Sequence, residues 1–213
     1  MRRSLALSAA LALLAATPLF YPRVARWFGV SRLPDNWTEA RKGWLFRSGE
    51  IPAADAVNVL RGQGIGTVLD LTDAGHDSGS GTERAAAEKL GVRYVHLPVA
   101  QPKEAVLANL ARAVAEIERA HQRGERVLVH CQYGHRRSAA ALALYARIVE
   151  REPPDVAYTE FTRYSEPDSS WSQGVRQMLE DNLPALRAQV AADLAAPATG
   201  AAATLDARAG PGG

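Results

Sequence analysis

The sequence predicts an α/β fold with a parallel-rich central sheet flanked by helices. Between residues 35 and 190, short runs rich in β-branched residues alternate with stretches of helical periodicity. This order is typical of parallel strands joined by helical crossovers, with helices covering both faces of the sheet. The chain has 213 residues, of which 47% are apolar and 23% charged, which suits one soluble domain with a core of ordinary size.

The first half of the predicted domain contains two helices and two strands. A helix over Ala53–Arg61 ends before a glycine, and the run TVLDL at Thr67–Leu71 is typical of a strand. A second helix over Glu83–Leu90 has a threonine in the N-cap position and a glycine just past its end. The run VRYVHL then predicts a strand at Val92–Leu97.

The second half continues the alternation. Apolar residues fall on one face of a long predicted helix over Pro102–Arg123, which also ends at a glycine. The short run VLVH predicts a strand at Val127–His130. The helix predicted over Ser138–Val149 is apolar on all sides, as expected for a buried central helix, and two further helices are predicted at Pro154–Tyr164 and Ser172–Gln189.

The two ends of the chain differ from this domain. Residues 1–34 are predicted to form an apolar anchor or signal segment with a basic flank, because residues 4–20 carry no charge and follow two arginines. A run of about 17 residues is at the short end of what can span a bilayer. Residues 191–213 are rich in Ala, Gly and Pro and lack apolar periodicity, which predicts a disordered tail.

Charge and cysteine usage exclude several classes of function. The net charge is +2, but five arginines precede the first acidic residue, Asp35, so the domain itself is mildly acidic. Nothing therefore indicates a nucleic-acid surface. The only cysteine is Cys131, which excludes an intrachain disulfide and a site with several cysteine ligands to a metal.

The segment HCQYGHRRS, from His130 to Ser138, carries the chemistry. Because it connects a strand to a helix, its backbone N–H groups and the helix N-terminus are expected to form an anion-binding loop, with Gly134 at the sharp turn. The same positive field would stabilise a thiolate at Cys131, and Arg137 could hold two phosphate oxygens. The residues predicted to bind the phosphate are Gln132, Tyr133, Gly134, His135, Arg136 and Arg137.

This segment resembles the signature HCxxGxxR[ST] of protein tyrosine and dual-specificity phosphatases. The resemblance extends more weakly over residues 44–165, and the Gly and the Arg-Ser ending fit this family better than rhodanese-like domains. It implies a cysteine-phosphatase-like fold in which Cys131 is the nucleophile and forms a phosphocysteine. Arg137 would then hold the phosphoryl oxygens, Ser138 would help the sulfur to leave, and no metal or other cofactor would be used.

The sequence departs from the family pattern at the general acid. The family places an aspartate about thirty residues before the cysteine, and Gln101 occupies that position. Since glutamine cannot donate a proton to a leaving alkoxide, three alternatives stay open. Glu104 acts from nearby, or Asp73, His76 or Asp77 acts from the loop after Thr67–Leu71, or no side chain acts and phenolic leaving groups are preferred.

These observations predict a metal-independent phosphomonoester hydrolase that acts on a phosphorylated protein or a small phosphomonoester. A phosphoinositide or inositol phosphate phosphatase is an alternative, because His135 and Arg136 add positive charge to the loop. A catalytically weak phosphate-binding module is another, because Gln101 replaces the acid. Residues 4–20 predict membrane association, with the domain anchored or exported and facing away from the cytoplasm.

Overall fold

The computed structural model describes residues 32–73, 80–100, 102–159 and 170–196. The predicted membrane segment at residues 4–20, the tail beyond residue 196, and the acid-position candidates His76, Asp77 and Gln101 lie outside the described residues. Within the described ranges, no helix is both long enough and apolar enough to cross a bilayer.

A five-stranded sheet forms the centre of the fold, with the strand order β1-β2-β5-β3-β4. Strands β2, β5, β3 and β4 are parallel to one another, and only the edge strand β1 is antiparallel to its neighbour. The predicted α/β class with a parallel-rich sheet is therefore confirmed. The strands are β1 (Thr38–Arg41), β2 (Leu45–Ser48), β3 (Ile65–Asp70), β4 (Arg93–His96) and β5 (Arg126–His130).

Helices cover both faces of the sheet. Leu45, Leu69, Val127 and Val129 belong to one buried cluster with α3, α4 and α7, while Phe46, Val68 and Leu128 belong to a second cluster with α1 and α2. The helices in the described ranges are α1 (Ala56–Gly62), α2 (Ser80–Leu90), α3 (Lys103–Gln122), α4 (Arg137–Ile148), α5 (Pro154–Ala157), α6 (Ser170–Asp181) and α7 (Leu183–Ala195). As predicted, α4 is buried on nearly all sides, from Ser138 through Ala146.

The apolar pattern does not predict β1 and β2. Strand β1 has the sequence TEAR and lies at the sheet edge, where its side chains are only partly buried or exposed. Strand β2 has the sequence LFRS, and all four of its residues are buried even though two are polar. An apolar run is the signal for a buried strand, and β2 lacks one because it carries Arg47 and Ser48 into the interior.

The prediction of one helix over Ser172–Gln189 is wrong. Helix α6 ends at Asp181 and α7 begins at Leu183, with Asn182 between them. Pro184 in the first turn of α7 explains the interruption, because proline has no N–H to continue the hydrogen bonding of a preceding helix. Helix α7 packs against α3 and extends to Ala195, beyond the domain boundary predicted at residue 190.

Candidate active site

The candidate active site lies at the carboxyl end of the central strand. Strand β5 ends at His130, residues 131–136 form a loop, and α4 begins at Arg137. Ligands of open parallel sheets bind at this edge, beyond the carboxyl ends of the strands. The sequence predicted this strand, loop and helix at the same place in the chain.

Cys131 lies at the base of the loop and is only 4% exposed. Its Sγ atom is 3.6 Å from the Ser138 hydroxyl oxygen. Burial by itself would raise the pKa of the thiol. Hydrogen bonds from the Ser138 backbone and hydroxyl and from the backbones of Gly134 and Tyr133 outweigh that effect, so the pKa of Cys131 is lowered. The loop thus favours the thiolate, the reactive form of cysteine.

Gly134 is required by the shape of the loop. Its φ of 70° lies in the left-handed region, which favours glycine. A Cβ atom at this position would also lie 2.5 Å from the backbone of Ser48 and Gly49. The loop therefore approaches the end of β2 more closely than any side chain permits.

Residues before β1 and after β2 hold the loop in place through its backbone carbonyls. The backbone N–H of Glu50 donates to the Gln132 carbonyl at 3.2 Å, and the side-chain amide of Asn36 donates to the Tyr133 carbonyl at 2.9 Å. Gly49 packs against the same part of the loop, where a Cβ would meet Gln132 and Tyr133 at 3.3 Å. A side chain at position 49 would therefore press against the loop.

The outer surface of the loop presents aromatic and basic side chains. Tyr133 is 66% exposed, and Arg136 is exposed at the end of the loop. His135 is half-buried, and burial together with the charges of Arg47 and Arg136 lowers its pKa. These side chains surround the position where a substrate would enter.

Arg137 forms an ion pair with one of the predicted acid candidates. Its Nη2 atom donates to Oδ2 of Asp73 at 2.8 Å, and both side chains are partly exposed. Asp73 follows β3, which lies next to β5 in the sheet, so the two carboxyl ends meet at one edge. Glu104, by contrast, is exposed in the first turn of α3.

The structure contains a buried polar cluster next to the loop, and this cluster was not predicted from the sequence. His130 and Glu83 are both fully buried, and Nε2 of His130 is 3.3 Å from Oε2 of Glu83. Asp70 is 3.8 Å from the same nitrogen and accepts hydrogen bonds from the Thr72 backbone and the Tyr94 hydroxyl. The sequence does contain a signal for this cluster. Each of the buried runs TVLD and VLVH ends in a polar residue, Asp70 and His130 respectively.

His96 has a structural role at the carboxyl end of β4. Its Nε2 atom lies 3.0 Å from the Thr72 carbonyl and 3.7 Å from Oδ2 of Asp70. It therefore ties the end of β4 to the end of β3. Among the described residues, no group of three or more His, Cys, Asp or Glu side chains is placed to hold a metal ion.

The fold and the site together define a class of protein. In this class a cysteine follows a parallel strand and lies in a loop suited to binding an anion, and the protein is either an enzyme or a binding protein. The model of the dual-specificity phosphatase catalytic domain matches residues 49–158, just over half of the chain. The chain belongs to this family. The matched residues lie within residues 44–165, the range over which the sequence resembles the protein tyrosine and dual-specificity phosphatases.

Several solved structures of phosphatases have a similar fold. TpbA of P. aeruginosa shares 22% identity over 70% of this chain and 88% of its own, with a TM-score of 0.54. Tk-PTP in its active form shares 20% identity over 68% of this chain and 96% of its own, with a TM-score of 0.55. PTPMT1 in complex with PI(5)P shares 17% identity over 71% and 99%, with a TM-score of 0.53. No curated protein sequence matches the chain.

Proposed function

We propose that this protein hydrolyses phosphomonoesters through a phosphocysteine on Cys131, as a protein tyrosine or dual-specificity phosphatase. The observation that carries the proposal is the environment of Cys131. Backbone groups of Tyr133, Gly134 and Ser138 bond to its sulfur and lower the pKa of the thiol. Donors that hold a thiolate in this way are also placed to hold phosphoryl oxygens around it.

The reaction follows from these positions in two steps. The Cys131 thiolate attacks phosphorus, the bond from phosphorus to the leaving oxygen breaks, and Arg137 with the loop N–H groups holds the remaining oxygens. Water then attacks phosphorus, the bond from phosphorus to sulfur breaks, and the thiolate is restored with inorganic phosphate as product. The Ser138 hydroxyl, 3.6 Å from the sulfur, stabilises the thiolate as it leaves.

Among the side chains that the structure describes, Asp73 is the one best placed to move the proton. It contacts Arg137 directly, whereas Glu104 is exposed on α3. In its protonated form Asp73 would give its proton to the leaving oxygen in the first step. As a carboxylate it would accept a proton from the attacking water in the second step, so that the proton balance closes.

Hydrolysis of para-nitrophenyl phosphate tests the proposal. We expect the wild-type protein to release nitrophenolate in the presence of EDTA, because the proposed mechanism uses no metal. Cys131→Ser should retain at most a few per cent of the rate yet still bind vanadate, since the loop amides and Arg137 hold the anion. An inactive wild type that binds vanadate would instead identify a phosphate-binding module.

A phosphoinositide phosphatase is a second candidate function. PTPMT1, whose structure was solved in complex with PI(5)P, is among the proteins that share the fold. The outer surface of the loop also carries the exposed cation Arg136, next to His135. Rates measured side by side on a phosphotyrosine peptide, a phosphothreonine peptide and a soluble phosphoinositide would separate the two substrate classes.

We further propose that residues 4–20 attach the protein to a membrane, with the domain on the side away from the cytoplasm. The support is the uncharged apolar run that follows Arg2 and Arg3. A cleaved export signal is the alternative that the same pattern allows.

A further inference from the structure

The buried pair of Glu83 and His130 has no role in the reaction as described above. Glu83 is on α2 and His130 ends β5, and both side chains are fully buried. Their closest atoms, Oε2 and Nε2, are 3.3 Å apart. In the described part of the chain, neither oxygen of Glu83 and neither ring nitrogen of His130 has a hydrogen-bond partner. Buried groups of this kind are retained at a cost in stability, so their presence calls for a reason.

Several other groups face this pair. Asp70 approaches His130 from β3, and its two oxygens already accept hydrogen bonds from the Thr72 backbone and the Tyr94 hydroxyl. Glu50, after β2, adds negative charge. Cys131 adds negative charge from the loop when it is ionised. His130 is thus surrounded by acidic groups from three elements and by the thiol that follows it in the chain.

We propose that Glu83 is a positioning residue for the reaction, which keeps a proton on His130 so that the imidazolium stabilises the thiolate of Cys131. The proposal rests on the proposed function, in which that thiolate is the nucleophile. Glu83 touches neither the substrate nor the sulfur, and it acts only through His130. The chemical step is an ionisation equilibrium: the proton stays on the imidazole while the thiol proton goes to solvent.

The direction of the coupling supports this arrangement. Burial alone would lower the pKa of His130, but Glu83, Asp70 and Cys131 raise it. The coupling free energy between two ionisable groups is shared by both. A thiolate that raises the pKa of His130 must therefore have its own pKa lowered by the charge on His130. Burial raises the pKa of Glu83 to about 7, and the charge of His130 opposes that rise.

A purely structural role for Glu83 makes a different prediction. If Glu83 were only a nearby negative charge, its removal would make the thiolate easier to form, and the pKa of Cys131 would fall. If it keeps His130 charged, its removal lets His130 become neutral. Cys131 then loses the positive charge of the residue next to it in the chain, and its pKa rises.

The pH dependence of Cys131 alkylation by iodoacetamide measures this pKa without any turnover. Cys131 is the only cysteine of the full chain, so the reaction reports on one thiol. In Glu83→Gln, which keeps the shape and removes the charge, we expect the pKa of the thiol to rise by about one unit. Glu88→Gln, an exposed position on the same helix, should leave it unchanged. His130→Asn should raise it, and adding Glu83→Gln to His130→Asn should raise it no further.

The outcomes separate this inference from the proposed function. A wild-type thiol with an ordinary pKa and no hydrolysis of para-nitrophenyl phosphate would overturn the proposed function. A wild-type thiol with a lowered pKa that is unchanged or lower in Glu83→Gln would overturn only the role of Glu83. If Glu83→Gln does not fold, NMR titration of the wild-type histidines decides, with His130 assigned by its loss in His130→Asn. We expect His130 to be charged at pH 7, and a neutral ring there would refute the inference.

Discussion

At the scale of single residues, the proposed reaction depends on a few side chains that similar ones should not replace. Arg137 is half-buried and uses one edge of its guanidinium for Asp73. A planar guanidinium has further N–H groups for two phosphate oxygens, whereas a lysine ammonium is a single point of charge. The proposed role of Arg137 therefore requires a planar guanidinium and not only a positive charge.

Arg137→Lys is expected to reduce kcat for para-nitrophenyl phosphate by about 100-fold or more, the size of effect seen when a donor to transition-state charge is removed. Steady-state kinetics with wild type and variant would measure it. Arg176→Lys, on α6 beside Tyr158, makes the same chemical change elsewhere and should behave as wild type. An Arg137→Lys variant with near wild-type kcat would refute the phosphate clamp.

Gly134 is constrained by the backbone rather than by charge. Gly134→Ala would place a Cβ 2.5 Å from the backbone of Ser48 and Gly49, so the loop must move away from β2. We expect loss of most activity and of vanadate affinity, because the amide donors would no longer converge on one point. Gly43→Ala is the matched control: it also has a left-handed φ, of 83°, but no atom within 4 Å of the added Cβ.

If Gly134→Ala bound vanadate as tightly as wild type, the loop would be more adaptable than this close approach implies. Alanine in the left-handed region costs about 1–2 kcal/mol at either glycine. We expect the two variants to lose the same amount of folding stability, but only Gly134→Ala to lose vanadate binding. That result would show that the loss of binding comes from the displaced loop. Isothermal titration with vanadate and urea denaturation supply the two measurements.

At the scale of elements, the adjacency of β3 and β5 brings the loop after β3 to the loop that follows β5. This arrangement gives Asp73 two possible effects, as a proton donor to the leaving group and as a partner that orients Arg137. The two effects differ in their dependence on the leaving group.

We expect Asp73→Asn to slow the hydrolysis of alkyl phosphates by about 100-fold or more, and that of para-nitrophenyl phosphate much less, because a good leaving group needs no proton. Rates for a series of phosphate esters, plotted against leaving-group pKa, should become steeper in the variant. Asp155→Asn, an exposed position on α5, is the control. A uniform fall across the series would show that Asp73 only orients Arg137, and unchanged rates would exclude it from the site.

The packing of α2 against the sheet makes folding stability depend on pH. The pKa of Glu83 is raised from 4.5 to about 7, chiefly by burial, and that of His130 is raised above 6.5 by Glu83 and Asp70 despite burial. Groups with raised pKa contribute stability that is full below their unfolded pKa and is lost as the pH rises through the folded value. For Glu83 that loss runs from about pH 4.5 to 7, and for His130 it continues above pH 6.5.

These two groups should therefore make the free energy of unfolding fall as the pH rises from 5 to 8, whereas the lowered pKa of Cys131 acts in the opposite direction as the pH approaches 9. In Glu83→Gln this fall should be smaller, because one titrating group is gone and the pKa of His130 is no longer raised by it. Urea denaturation at a series of fixed pH values would measure both curves. Parallel curves for wild type and Glu83→Gln would show that Glu83 does not change ionisation on folding.

At the scale of the whole molecule, the two faces of the sheet pack against different sets of helices. Helices α3, α4 and α7 form the larger buried cluster on one face, and α1 and α2 cover the other face, where the pair of Glu83 and His130 lies. The site opens at the edge between them. Attachment of the chain to a membrane would leave this architecture unchanged, since residues 4–20 precede the first strand.

A variant that begins at Arg32 is expected to remain in the soluble fraction and to hydrolyse para-nitrophenyl phosphate at the full-length rate, while the full-length protein sediments with membranes. Alkaline carbonate extraction would distinguish an anchor from loose association. In intact spheroplasts of a bacterial expression host, added protease should digest the domain. Protection of the domain would reverse the proposed orientation, and a soluble full-length protein would exclude the anchor.

The part of the candidate site that lies in one segment of the chain can be predicted from its residues alone. Strand β5, the loop after it and the first turn of α4 are contiguous, so His130, Cys131, Gly134, Arg137 and Ser138 could be assigned from spacing and residue type alone. The one-sided periodicity of α3, the apolar run of α4 and the β-rich runs of β3, β4 and β5 are likewise local patterns, and each of them predicted its element.

Which distant residues contact this loop depends on the strand order and on the packing of the helices, and these are seen only in the folded structure. The strand order places β2 on one side of β5 and β3 on the other, and this brings Gly49 under Gln132 and Asp73 beside Arg137. Glu83 reaches His130 only because α2 packs on the same face of the sheet. No local pattern encodes these pairs, since their energies come from contacts between segments that are far apart in the chain and that close packing of the helices on the sheet brings together.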